Sequence, residues 1–212
     1  MNKKTILIFA VIIVATIAIA AANLYKSSTT KQQTISELLV RSHSPIYGNK
    51  DAKVTLVEFF DPACETCAQF APLIKEFVKN SDGKLRVVYR YAPLHKNSDI
   101  VVTLLELAKE QKIPFDKALN TLLFNQNLWV QNHTTNPELA TMLLEQEVGF
   151  DVQKAHLDIN TVQGRIEQDI EDMNTLNINK TPSFFVNGKP LQKFGYNELK
   201  ELIDREIKRV YE

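Results

Sequence analysis

The chain has 212 residues, with 25 Lys plus Arg against 25 Asp plus Glu, a formal net charge of zero. Hydrophobic residues make up 44%, enough for the core of one domain or of one domain with an insertion. The balanced charge, without a basic stripe, excludes an electrostatic footprint for nucleic acid, and no long internal period marks a solenoid.

After Lys3 and Lys4 comes an uncharged run, Ile6 to Ala22, of 17 residues interrupted only by Thr16. It has the basic flank and the A-x-A sites (Ala18-Ile19-Ala20, Ala20-Ala21-Ala22) of a signal peptide. With Thr5 and Leu24 it approaches the ~20 apolar residues that span a bilayer. Residues 1–25 are therefore expected to be an uncleaved membrane anchor, spanning through residues 5–25, with a cleaved signal as the alternative. Either way the two lysines hold the N-terminus in the cytoplasm, and the body lies on the periplasmic or extracytoplasmic side. Disulfides form there.

Residues 26–44 read as a polar linker with a short helix, its capping box made by Thr34 and Glu37. Ser44 to Lys53, with Pro45 and Gly48, reads as a loop. Val54 to Phe60 is a β-branched and aromatic run, hence a buried strand. From Cys64 the period changes: Cys67, Phe70, Ala71, Ile74, Phe77 and Val78 fall on one helical face. Asp82-Gly83 turns the chain into a second strand, Leu85 to Tyr91, and the strand–helix–strand unit predicts two parallel strands. A helical block of about 98–157 follows. Within it Asn136-Pro137-Glu138 start a helix that Gly149 ends, and the single tryptophan, Trp129, is expected to pack at its edge. Asp158 caps a longer helix on Ile159, Val162, Ile166, Ile170 and Met173. Strand signals return at Ser183 to Val186, and Asn187-Gly188 turns this into a second strand, Leu191 to Phe194. The last helix is expected to be capped near Asn197 and to bury Leu199, Leu202, Ile203, Ile207 and Val210.

Both cysteines lie in Phe59-Phe-Asp-Pro-Ala-Cys64-Glu-Thr-Cys67. As a structural disulfide they would close too short a loop to constrain the unfolded chain much. As a zinc site they lack partners, because no second C-x-x-C exists and the four histidines have no finger-like spacing. Position favours redox work: Cys64 follows a strand and opens a helix, where free N–H groups and the helix dipole stabilise a thiolate. Cys67 falls on the buried face. An exposed low-pKa thiol with a covered partner suits attack and resolution in thiol–disulfide exchange. Glu58, an acid inside an apolar strand, is expected to be buried with a raised pKa and to accept the proton of Cys67. Pro72 sits inside the helix, where proline is costly. Thr181-Pro182, before the third strand, is the place for a cis-proline loop, so Pro182 is expected to be cis. His95, in Pro93-Leu-His-Lys-Asn-Ser98, reads as a loop histidine.

From about Pro45 to the C-terminus the chain resembles the DsbA-like thiol:disulfide oxidoreductases of the thioredoxin superfamily. The resemblance rests on "VTLVEFFDPACETC", Pro72, the helical insertion and "TPSFFVNGK". It implies an α/β thioredoxin fold over 45–212, with a helical insertion between the second strand and the cis-proline loop. It further implies Cys64 as attacking thiol, Cys67 as resolving thiol, Pro182 opposite them, and Thr181 presenting backbone to a bound substrate segment. Glu58 would match the family's buried acid, and no metal or organic cofactor is required. Partners would be cysteine-containing exported proteins and a membrane quinone-linked thiol oxidase. The departure is Glu65-Thr66 between the cysteines, where strongly oxidising members have proline and histidine. A carboxylate there opposes the Cys64 thiolate and predicts a less oxidising couple. Two alternatives are an anchored thioredoxin-like reductase, of the cytochrome c maturation or isomerase-reducing type, and a non-catalytic chaperone module.

Overall fold

A computed structural model describes residues 35–155 and 159–212. The apolar N-terminal run, the Thr34 cap and the Asp158 cap lie outside the described residues. Among the described residues no helix is long and apolar enough to cross a membrane. Residues 35–39 are helical.

Leu39–Glu212 form one compact unit. Its centre is a five-stranded sheet in the order β1 (Ile46–Gly48), β3 (Leu85–Tyr91), β2 (Val54–Phe60), β6 (Ser183–Val186), β7 (Lys189–Pro190). β2 (Val54–Phe60) and β3 (Leu85–Tyr91) pair in parallel through α1 (Glu65–Asn80), as the strand–helix–strand spacing predicts. β6 (Ser183–Val186) runs antiparallel on the other side of β2. Pairing sets Glu58 between Tyr89 of β3 and Phe184 of β6.

Three sequence expectations are corrected. The loop over 44–53 contains an edge strand, β1 (Ile46–Gly48), antiparallel to β3. Its three residues are too few to show alternation, and Ile46 is exposed. Gly48 sits at φ +98, and a Cβ there would lie 2.9 Å from Val78 Cγ1. The partner of β6 is β7 (Lys189–Pro190), not Leu191 to Phe194. The two-residue turn Asn187-Gly188 pairs Val186 with Lys189 and Phe185 with Pro190, and beyond them one backbone bond, Leu191 N to Phe184 O at 2.9 Å, ends the ladder. The last helix, α8 (Tyr196–Tyr211), begins after Gly195 without a side-chain cap, two residues earlier than a cap at Asn197 would give.

Between β3 and β6 lie α2 (Ser98–Glu110), α3 (Phe115–Phe124), α4 (Gln126–Trp129), α5 (Pro137–Val148), α6 (Val152–Ala155) and α7 (Ile159–Thr175). Asn136 caps α5, its side chain accepting from Leu139 N at 3.1 Å, and Gly149 ends it at φ +75. A two-stranded ribbon, β4 (Val130–Gln131) with β5 (Thr134–Thr135), interrupts the helical block. Trp129 is 1% exposed, and its Nε1 donates to Leu122 O at 2.9 Å. On one sheet face Val54, Leu56 and Phe60 join Cys67, Phe70 and Ile74 of α1, Leu105 of α2 and Leu202 of α8 in a single core. On the other face Arg90 of β3, wholly buried, donates to Asp169 and Asp172 of α7 at 3.0 and 2.7 Å.

Candidate active site

The end of β2 delivers the chain into the loop Asp61-Pro-Ala-Cys64, and Cys64 is the residue before α1, in extended backbone (φ −79, ψ 119). Its N–H donates to Asp61 O at 3.0 Å and its carbonyl accepts from Ala68 N at 3.1 Å. The first turn of the helix thus points free N–H groups at the sulfur. Cys64 and Cys67, one turn on, are free thiols and both are buried, Cys67 at 1% and Cys64 at 7% exposed. The expectation of an exposed attacking thiol is thus corrected: the Thr181 backbone lies over the Cys64 sulfur. Thr181-Pro182 is cis, as expected at that position. Its backbone faces the pair, with Cys64 Sγ donating to Thr181 O at 3.3 Å. Beyond Pro182 an open cavity of about 190 Å³ is lined by Ile178, Pro182, Phe184, Leu191 and Phe194. Pro72 lies inside α1 on its exposed side.

The electrostatics separate the two thiols. The Cys67 thiol donating toward Cys64 is the largest influence and holds the Cys64 pKa down to about 5. Burial opposes it, while the Thr181 side chain and the N–H groups of Cys67 and Thr66 reinforce it. Burial pushes the Cys67 thiol well above its ordinary value, and the bond it gives Cys64 and the Glu58 carboxyl push it further. Glu58 is 3% exposed, and burial first, then the Cys64 charge, raise its pKa to about 8. Glu65 is exposed and is not among the groups that move Cys64. The donors around the sulfur hold the Cys64 thiol low with this carboxylate next to it.

All the residues singled out in the sequence, Glu58, Cys64, Cys67, Thr181 and Pro182, converge on the end of β2. Sequence reasoning missed Asp61. This carboxylate is wholly buried and accepts from Ala63, Leu94 and His95 backbone N–H groups, from His95 Nδ1 and from Ser98 Oγ. An Asp between a strand and Pro-Ala is an Asx-turn candidate, the one local signal it offered. Among the described residues no cluster of three or more His, Cys, Asp or Glu is arranged to hold a metal.

A thioredoxin family model matches residues 41–205, and the chain belongs to that family. Within it the chain is a DsbA-like thiol:disulfide oxidoreductase. It is 29% identical over 174 residues to disulfide bond formation protein D of Bacillus subtilis, covering 77% of each chain. The fold of oxidised BdbD from Bacillus subtilis superimposes with a TM-score of 0.67 at 28% identity, over 78% of this chain and 94% of that one. A thioredoxin-like oxidoreductase from Silicibacter pomeroyi gives a TM-score of 0.68 at 27% identity, over 81% and 96%.

Proposed function

We propose that this oxidoreductase forms or reshuffles disulfides in exported proteins through a Cys64–Cys67 redox pair. The observation behind this reading is the opposed protonation of two thiols one helical turn apart, with Cys64 held near 5 and Cys67 pushed well up. In the oxidising direction a substrate thiolate attacks Cys64 Sγ. The Cys64–Cys67 bond breaks, a substrate–Cys64 bond forms, and Cys67 leaves as a thiolate. Glu58, with its pKa near 8, is mostly protonated at pH 7 and gives that proton, recovering one from solvent. A second substrate thiolate then attacks the substrate sulfur of the mixed disulfide and expels Cys64, whose low pKa makes it a good leaving group. The substrate dithiol loses two electrons and the protein is left as the dithiol. In this reading Thr181 and Pro182 align the substrate segment against Cys64.

Re-oxidation needs an electron acceptor, for which a membrane quinone-linked thiol oxidase is the proposed partner. The export signals of residues 1–25 support an extracytoplasmic body held at the membrane. Cell fractionation checks this: the intact chain is expected with the membrane, its body protease-accessible from outside. Equilibration with glutathione buffers tests the direction of flux. A potential above about −200 mV agrees with an oxidase or isomerase, whereas one near −270 mV is that of a reductase. Rapid alkylation at neutral pH should be confined to Cys64; a faster Cys67 would reverse the two roles.

A further inference from the structure

Asp61 and His95 form a carboxylate–imidazole pair just behind the cysteine loop. The Asp61 carboxylate is wholly buried, so every lone pair it directs inward must be matched. Oδ1 accepts from Ala63 N at 2.8 Å and from Ser98 Oγ; Oδ2 accepts from Leu94 N at 2.7 Å and His95 N at 2.8 Å. The remaining donor is His95 Nδ1, at 2.8 Å from Oδ2. A carboxylate can only accept, so the proton of that ring is on Nδ1. One side chain thereby ties the loop that ends in Cys64 to the start of the helical insertion.

The imidazole is itself held from behind. Its ring stacks on His133, with centroids 5.8 Å apart and planes at 28°, and His133 is at the tip of the β4–β5 ribbon. Thr135 N of the same ribbon donates to Lys96 O at 3.1 Å. Asp61 in turn meets the cysteine pair through its backbone: its carbonyl accepts from the Cys64 backbone N–H at 3.0 Å, which sets the Cys64 loop, and its own backbone bonds the Cys67 sulfur.

We propose that the Asp61–His95 pair is a positioning device for the redox centre, through which the helical insertion holds the Cys64 loop against the start of α1. His95 touches neither thiol; it acts through Asp61. Without the Nδ1 donor the Asp61 carboxylate loses a partner and a wall. Two consequences follow, and both disfavour the Cys64 thiolate. The loop 61–64 is less firmly set, so the N–H groups aimed at the sulfur are less well aligned. The negative charge of Asp61 is also less compensated in the neighbourhood of a second negative charge.

The inference rests on Cys64 being the nucleophile. The test uses the full chain with His95→Ala, His95→Gln and His95→Asn, since asparagine can place an N–H near the Nδ1 position and glutamine cannot. His95 is partly exposed, so these variants are expected to fold, which circular dichroism checks. For Ala and Gln the pH midpoint of Cys64 alkylation should rise by about half a unit to one unit. The equilibrium constant for their reduction by glutathione at pH 7 should fall by about three- to tenfold. Asparagine should restore both towards wild type. If Ala and Gln keep the wild-type midpoint and equilibrium constant, whatever their melting temperatures do, the pair is only structural and the proposal fails. It also fails if Asn behaves like Ala. A wild type whose Cys64 reacts slowly at neutral pH would sink the nucleophile assignment instead.

Discussion

At the scale of single residues the chemistry turns on where a proton is cheap to keep. Glu58 is buried in the sheet between Tyr89 and Phe184, and burial raises its pKa from 4.5 to about 8. The folded protein therefore binds this proton more tightly than the unfolded chain does. Stability from the neutral form is fully present below pH 4.5 and is lost as pH rises through 8. Glu58→Gln removes that dependence. The variant should match wild type near pH 4 and exceed it by on the order of a few kcal/mol at pH 8, read from urea unfolding at both pH values. It should also slow release of Cys67 during reduction by a dithiol, because the proton donor is gone. Equal pH dependence in both proteins would mean the carboxyl is ionised without cost. Glu65, at the start of α1, is exposed to solvent. Glu65→His exchanges an opposing charge for a partial cation beside Cys64, so the potential should rise, but screening limits each of the two effects to about 30 mV. Glutathione equilibration reads it, and an unchanged or lower potential would leave the poise to the backbone donors alone.

At the scale of elements, what could be read from the sequence was what its own spacing encodes. The runs Val54–Phe60 and Leu85–Tyr91 and the apolar stripe of α1 are local patterns, and both the parallel pairing and the cysteine position follow from them. β1 and the β4–β5 ribbon escaped because strands of three and two residues hold no period; partners supply their order. Asp61 escaped for a related reason, since all its donors but Ala63 N come from residues 94–98, far along the chain. The same holds for the charges that fasten α7 to the sheet. Arg90, Asp169 and Asp172 read as ordinary strand and helix polarity, yet Arg90 and Asp169 are wholly buried. Arg90 bridges both acids, Arg41 grips Asp172 at 2.7 and 2.8 Å, His43 meets Asp169 at 2.7 Å, and Tyr91 N donates to Asp169 at 2.9 Å. Burial alone would raise the Asp172 pKa, but the two guanidinium groups outweigh it and leave it below the ordinary carboxylate value. Removing one charge from such a set leaves another buried with less compensation. Asp169→Asn should therefore cost about 3 kcal/mol or more in urea unfolding, while the alkylation midpoint of Cys64, on the other face of the sheet, stays put. A loss below about 1 kcal/mol would mean that Arg90 stays compensated without the Asp169 charge.

At the scale of the whole molecule, the redox pair couples disulfide chemistry to folding, because the thiolate exists only in the reduced protein. Cys64 is depressed from 9.0 to about 5, so the folded reduced form releases a proton that the unfolded chain retains. The sign follows from that depression: the resulting stability is present above pH 9 and is lost as pH falls through 5. The oxidised protein has no such group. Two other effects set a baseline. The disulfide restricts the unfolded chain through a loop of only four residues, Cys64 to Cys67, and this contribution does not vary with pH. Burial, the larger cause of the Glu58 shift, acts in both redox states, whereas the Cys64 charge adds to it only in the reduced one. That addition trims the gain of the reduced form without reversing it. The stability of reduced minus oxidised protein should thus climb between pH 5 and 8. Solvent around the partly open site holds the slope to about 1 kcal/mol per pH unit or less. Urea unfolding of both forms at pH 5, 6, 7 and 8, with a dithiol reductant for one series, measures the slope directly. A difference that stays flat across those four values would show that the Cys64 thiolate gains nothing from the fold, and the basis for an oxidising couple would go with it.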